Sequence, residues 1–272
     1  MAIDIIARNN VKVYGRGTRP MLFAHGFGCD QHMWRFITPA FEDEYRIVLF
    51  DYVGSGHSDQ SVYDRDKYGR LDGYADDVLD VVHALDLHDV TFVGHSVSSM
   101  VGILAANREP DRFARLVLVG PSPRYLNDEG YEGGFERADI EGLLETMDQN
   151  YIGWANYLAP AIMQNADQPA LGAELTESFC STDPVVARTF AEATFYADNR
   201  ADLAGLSVPS LILQCTDDII APLAVGEFLH RALRDSTLRV MRATGHCPHL
   251  SAPAETIALM REFLDAHAGA SG

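Results

Sequence analysis

The stretch Val90-Thr91-Phe92-Val93-Gly94-His95-Ser96-Val97-Ser98 decides the reading of this chain. Four β-branched or aromatic residues form a short apolar run, as a strand buried on both faces of a parallel sheet requires. The small and apolar segment Ser98–Arg108 follows it and fits a helix lying against that sheet. A serine held in the sharp turn between strand and helix is the context of a nucleophile elbow, usually written Gly-x-Ser-x-Gly. Here Ser98 stands where the last glycine is usual. Close helix–strand packing is the demand at that position, and a serine is small enough to meet it. The turn exposes the Ser96 hydroxyl and leaves the Val97 amide at a helix N-terminus, where it can donate to a developing oxyanion.

Other runs of the same kind surround it: Met21–Ala24, Ile47–Phe50, Leu116–Val119, Leu211–Leu213 and a weaker one at Leu238–Met241. Helical patterns lie between and after them at Tyr74–Leu85, Leu223–Leu233 and Glu255–Ala266. Val78, Val81, Val82 and Leu85 share one stripe of the first. Strands alternating with helices predict a doubly wound, mostly parallel α/β sheet. At the start, Ile3–Tyr14 carries β-branched residues around Asn9-Asn10, which predicts a β-hairpin adding antiparallel strands at one edge.

The alternation stops between residues 123 and 200. That segment holds helical patterns at Ile140–Asn150, Tyr151–Leu158, Pro169–Phe179 and Pro184–Tyr196. It reads as a helical cap inserted into the core. The expected organisation is therefore core at 1–122, cap at 123–200, core again at 201–267, and a disordered tail at 268–272. The aromatics of the cap, Tyr125, Tyr131, Phe135, Trp154, Tyr157, Phe179, Phe190, Phe195 and Tyr196, are mostly cap core, with a minority lining an apolar pocket.

Three further pieces sit at strand ends. Met21–Ala24 runs into His25-Gly26-Phe27-Gly28, where two glycines let the backbone bend and aim the Phe27 amide at the site. Leu211–Gln214 runs into Thr216-Asp217-Asp218, and of the two carboxylates Asp218, four residues before Pro222, is the expected partner of a base. Asp217 is the surface or cap acid. The last strand ends in Gly245-His246-Cys247-Pro248-His249, with His246 the expected base and His249 structural. Ser96, Asp218 and His246 thus follow in the chain order of the α/β-hydrolase triad, with the acid orienting the imidazole. Asp51-Tyr52-Val53-Gly54-Ser55-Gly56-His57-Ser58-Asp59 lacks the third glycine of a dinucleotide fingerprint, and reads as a loop shaping the edge of the sheet.

Composition sets outer limits. In 272 residues, 39 Asp+Glu against 21 Lys+Arg give a formal charge of -18. Nucleic-acid binders need a basic face to displace counterions, so that class is excluded, and anionic membranes are disfavoured. No apolar run approaches the ~20 residues of a membrane span. No secretory signal is visible, and Cys29, Cys180, Cys215 and Cys247 lack metal or disulfide spacing. A cytoplasmic protein with reduced thiols and no metal is expected.

With these residues in place, the chain resembles the α/β-hydrolase superfamily, and within it the group containing bacterial RsbQ and the plant strigolactone and karrikin receptors. The resemblance is carried by His25-Gly26-Phe27-Gly28-Cys29-Asp30-Gln31, Gly94-His95-Ser96-Val97-Ser98, Ser122-Pro123-Arg124-Tyr125-Leu126-Asn127-Asp128, Tyr131-Glu132-Gly133-Gly134-Phe135, Asn150-Tyr151-Ile152-Gly153-Trp154 and Gly245-His246-Cys247-Pro248-His249-Leu250-Ser251. Leu211 to Pro222 and Phe179 to Pro184 look closest to RsbQ. The resemblance implies a Ser96–Asp218–His246 triad with no cofactor, Phe27 and Val97 amides as the oxyanion hole, and a V-shaped four-helix cap. It implies a pocket lined by Phe27, His95, Tyr125, Trp154, Leu158 and Phe195, taking a small hydrophobic ester or lactone. It also implies, as an alternative role, stress signalling with a PAS-domain phosphatase as partner.

Overall fold

The computed structural model describes residues 4–267, so the expected tail at 268–272 lies outside the described residues. Seven strands run β1 (Lys12–Tyr14), β2 (Arg19–Ala24), β3 (Tyr45–Leu49), β4 (Val90–His95), β5 (Phe113–Val119), β6 (Ser210–Asp217) and β7 (Ser236–Thr244). They form one sheet in the order β1-β3-β2-β4-β5-β6-β7. Only β1 is antiparallel to its neighbour; every other pair is parallel. The helices are α1 (Ile5–Arg8), α2 (Arg65–Tyr68), α3 (Leu71–Ala84), α4 (Val97–Arg108), α5 (Arg137–Gln149), α6 (Tyr151–Met163), α7 (Pro169–Ser181), α8 (Pro184–Phe195), α9 (Leu223–Ala232), α10 (Pro248–Ser251) and α11 (Pro253–Ala266). This is the expected α/β-hydrolase fold, and the apolar runs fall within strands, except that Phe50 lies one residue past the end of β3.

The two faces of the sheet are buried in different cores. Met21, Phe23, Ile47, Val93, Val117, Leu211 and Leu213 face one, with residues of α5, α6, α7 and α11. Leu22, Ala24, Val48, Phe92, Leu116, Leu118 and Ile212 face the other, with α3, α4 and α9. The period of two explains why each run is apolar at consecutive positions.

The opening hairpin is corrected. Asp4 caps a single helical turn by accepting the Ile6 and Ala7 amides at 3.0 and 3.3 Å, so Ile5–Arg8 is helical and only Lys12–Tyr14 is a strand. The Asn9 carboxamide is buried and donates to the Asp51 carbonyl and to Asp77. Asn10 does adopt positive φ, at 45°, but it turns a helix into a strand rather than joining two strands. Local capping and a buried side-chain anchor thus outweigh the β-branched composition.

Four helices, α5 to α8, lie in sequence between β5 and β6, and α6 packs on α7. Helix α6 runs past its expected end at Leu158 to Met163, through Pro160. Tyr157 is not core: it is 77 % exposed. Phe190 reaches the core, stacking on Tyr74 at 4.2 Å between ring centres. Among the described residues no helix is long and apolar enough to cross a membrane.

Candidate active site

Ser96 sits between β4 and α4 with φ 57° and ψ −124°, a left-handed conformation that a serine adopts only under constraint. The constraint is visible on both sides. Its amide donates to the Val119 carbonyl at 2.8 Å, and its carbonyl accepts the Ser99 amide at 2.9 Å. The close helix–strand approach expected at Ser98 is present there, where a Cβ on Gly94 would stand 2.7 Å from the Ser98 carbonyl oxygen, and again one turn later at Gly102, where a Cβ would stand 2.2 Å from the Phe92 ring. Ser98 is itself fully buried, and its hydroxyl donates to the His25 carbonyl and lies 2.9 Å from the Tyr52 hydroxyl. The departure from the usual glycine therefore ties the elbow to the loop after β2.

The Ser96 hydroxyl lies 2.7 Å from His246 Nε2, and His246 Nδ1 lies 2.7 Å from Asp218 Oδ2. Asp218 Oδ1 accepts the Ile220 and Ala221 amides at 2.8 and 3.1 Å. Burial opposes ionisation of Asp218, but the His246 charge and these hydrogen bonds outweigh it and hold the carboxyl below its ordinary value. An ionised Asp218 accepts a hydrogen bond from Nδ1–H, which leaves Nε2 to accept from Ser96. Asp217, the other carboxylate of the pair, is exposed. Tyr125 adds a contact the sequence reading missed: its hydroxyl lies 3.2 Å from Ser96 Oγ and can donate to it. Burial pushes the Tyr125 phenol upward, so it stays protonated.

Phe27 belongs to the loop after β2, where Gly28 adopts φ 68° and leaves no room for a Cβ, which would meet the Phe179 ring at 2.5 Å. That loop is fixed from three sides. Asp51 accepts the Gln31 amide at 2.9 Å, His25 Nε2 accepts the Tyr52 amide at 3.3 Å, and Ser178 of α7 donates to the Gly28 carbonyl at 2.7 Å. Val97 opens α4, so its amide has no intrahelical acceptor.

Phe27, His95, Tyr125, Leu158 and Phe195 border a cavity of about 30 Å³ over Ser96 and His246. Trp154 does not border it. It stacks on Phe179 at 5.4 Å and meets Phe27 edge-on at 6.1 Å, so Phe179 forms the wall in its place. Cys29, Ile162, Leu175, Thr194, Ile220 and Cys247 complete the lining. No signal in the sequence separates these from ordinary core positions, because helix rotation decides which face meets the cavity. His95 Nε2 lies 2.8 Å from the His246 carbonyl, to which it donates. His249 is buried between His95 and Trp34, at 4.5 and 4.8 Å between ring centres. His57 lies away from the cavity, its amide bound to Asp51. The four cysteines are free thiols; burial, with the Asp218 and Glu255 charges, pushes Cys215 up to about 12.

A family model described as the alpha/beta hydrolase fold matches residues 19–253. The chain belongs to the α/β-hydrolase family. It is 39 % identical to a strigolactone esterase of Arabidopsis thaliana over 96 % of this chain and 98 % of that protein. It is 38 % identical to a karrikin insensitive 2 receptor of Petunia hybrida over 90 % and 91 %. A solved structure of a hydrolase from Oleispira antarctica superimposes with a TM-score of 0.94, at 44 % identity over 96 % of each chain.

Proposed function

We propose that this α/β-hydrolase cleaves small hydrophobic esters or lactones by a Ser-His-Asp mechanism. The observation that carries the reading is the continuous hydrogen-bonded path from Ser96 through His246 to Asp218, 2.7 Å at each step. The Arabidopsis thaliana relative is a strigolactone esterase, which agrees with it. We read residues 123–200 as a cap between the core segments 1–122 and 201–267, and the protein as cytoplasmic.

In the first half-reaction His246 Nε2 takes the Ser96 proton as Oγ attacks the carbonyl carbon. The tetrahedral oxyanion lies toward the Phe27 and Val97 amides, each such donor contributing about 3 kcal/mol to the transition state. Collapse breaks the bond to the alkoxy oxygen, which leaves with the proton from His246. Water then attacks the acyl-enzyme, giving its proton to His246, and collapse breaks the bond to Ser96 Oγ, which takes that proton back from His246 as the acid is released. Asp218 stays ionised throughout and stabilises the imidazolium. Tyr125 donates to Ser96 Oγ in the resting state and so helps fix its rotamer. The cavity is narrow against the ~300 Å³ of ordinary ligand sites, which favours small acyl groups. A charge of -18 with no cation in the lining favours neutral substrates.

Replacing Ser96 with Ala tests this on p-nitrophenyl butyrate. The expected fall in kcat/KM is about 1,000-fold or more; unchanged turnover would sink the assignment. A second reading is ligand sensing through the cap, with a protein partner such as a PAS-domain phosphatase implied by the resemblance; the hydrogen bond from the His246 amide to the Ile162 carbonyl of α6, 2.9 Å long, would couple the cap to the base and bears on no particular partner.

A further inference from the structure

The helices between β5 and β6 supply Leu158, Ile162, Leu175, Phe179, Phe195 and Thr194 to the cavity wall. Five are apolar. Thr194 stands apart: it is 2 % exposed, and its hydroxyl has no hydrogen-bond partner in the fold. A buried, unsatisfied hydroxyl is costly and rare, and it calls for an explanation.

Helix geometry offers threonine an easy way to satisfy itself, a bond to the carbonyl four residues earlier. The neighbouring threonines take it. Thr146 donates to Gly142, Thr176 to Gly172 and Thr189 to Val185, at 2.8, 2.9 and 3.0 Å. Thr189 lies on the same helix as Thr194. Thr194 does not bond back, and it borders the cavity that contains Ser96.

We propose that Thr194 is a specificity-determining residue whose hydroxyl pairs with a second oxygen function of the substrate, outside the scissile carboxyl group. The inference rests on the hydrolase reading above and narrows it. The preferred substrate is an oxygenated ester or lactone, carrying an ether, hydroxyl or carbonyl oxygen, rather than a plain hydrocarbon one. The remaining walls contribute dispersion and water exclusion. They leave the Thr194 hydroxyl to discriminate one oxygen from one methylene, the kind of distinction that an apolar wall makes poorly.

Two isosteric pairs test it, each exchanging one CH₂ for oxygen: p-nitrophenyl butyrate with p-nitrophenyl methoxyacetate, and butyl acetate with 2-methoxyethyl acetate. The readout is the ratio of kcat/KM, oxygen member over methylene member, in the wild type, Thr194→Val and Thr194→Ser. Comparing the ratio between enzymes cancels the intrinsic reactivity of each ester. In at least one pair the ratio falls about tenfold in Thr194→Val and is kept in Thr194→Ser. A change below about threefold in both pairs would overturn the proposal. The melting temperature is an independent check. Thr194→Val removes an unpaired hydroxyl, so it holds or raises the melting temperature; a clear drop would mean that the hydroxyl has a partner within the fold, and would also overturn the proposal. Failure of the hydrolase reading itself looks different: Ser96→Ala would then hydrolyse all four esters as fast as the wild type.

Discussion

At Asp217 and Asp218, adjacent carboxylates have opposite environments. Asp218 is buried, accepts two backbone amides and lies 2.7 Å from His246, whereas Asp217 ends β6 in solvent. Asp218→Asn presents an amide where the imidazole needs an acceptor, and favours the wrong tautomer. Its kcat on p-nitrophenyl butyrate is expected to fall by about 1,000-fold or more, with Asp217→Asn within about threefold of wild type. A loss confined to Asp217→Asn would reverse the assignment. Ser96, His246 and Asp218 were legible in the sequence because each stands at the end of an apolar run, in a turn with a recognisable backbone demand. Thr194 and the Tyr125–Ser96 contact were not legible. Both depend on how a helix or loop is rotated toward the cavity, which composition does not encode. Trp154 illustrates the same limit: the resemblance implies a place for it in the pocket lining, yet stacking on Phe179 sets it one layer back.

Helices α6 and α7 reach into both catalytic loops. The Ile162 carbonyl, near the end of α6, accepts the His246 amide at 2.9 Å. Asn165, in a left-handed conformation with φ 49°, donates its carboxamide to Met163 and Thr244 carbonyls at 2.8 and 2.9 Å. Ser178 of α7 holds the Gly28 carbonyl beside Phe27. Asn165 is thus a positioning residue for the strand end that carries Gly245 and His246. Asn165→Asp keeps the shape and the tolerance of positive φ but loses both donors. Steady-state kinetics should show kcat about tenfold lower with KM little changed, since base placement suffers before substrate binding. An unchanged kcat would remove Asn165 from that role. The strands and the four inserted helices were readable from periodicity, whereas this clamp joins residues 79 apart and is a product of packing. The opening segment misled for the opposite reason. Its β-branched residues argued for a hairpin, and one aspartate cap with a buried Asn9 anchor decided otherwise.

For the molecule as a whole, the buried histidines make stability depend on acid. Burial, and then the His246 charge, lowers His95 to about 3. Burial, with the charges of His95, His246 and Arg35, holds His249 well below its ordinary value. Below an ordinary histidine pKa of ~6.5 the unfolded chain binds protons that the folded chain refuses. Stability is therefore complete above that pH and is lost as pH falls from there toward 3, by about 1.4 kcal/mol per pH unit for each histidine. Thermal melts from pH 7 to pH 4 should show a shallower decline in His249→Phe than in the wild type, a comparison in which the titration of the surface carboxylates cancels. Equal slopes would contradict the account of His249. The central claim, that this fold builds a nucleophile at Ser96, is tested most directly by intact-mass and peptide mass spectrometry after reaction with a fluorophosphonate. One adduct per chain on Ser96, absent in Ser96→Ala, is the predicted result; an adduct on any other residue, or the same labelling in Ser96→Ala, would contradict it.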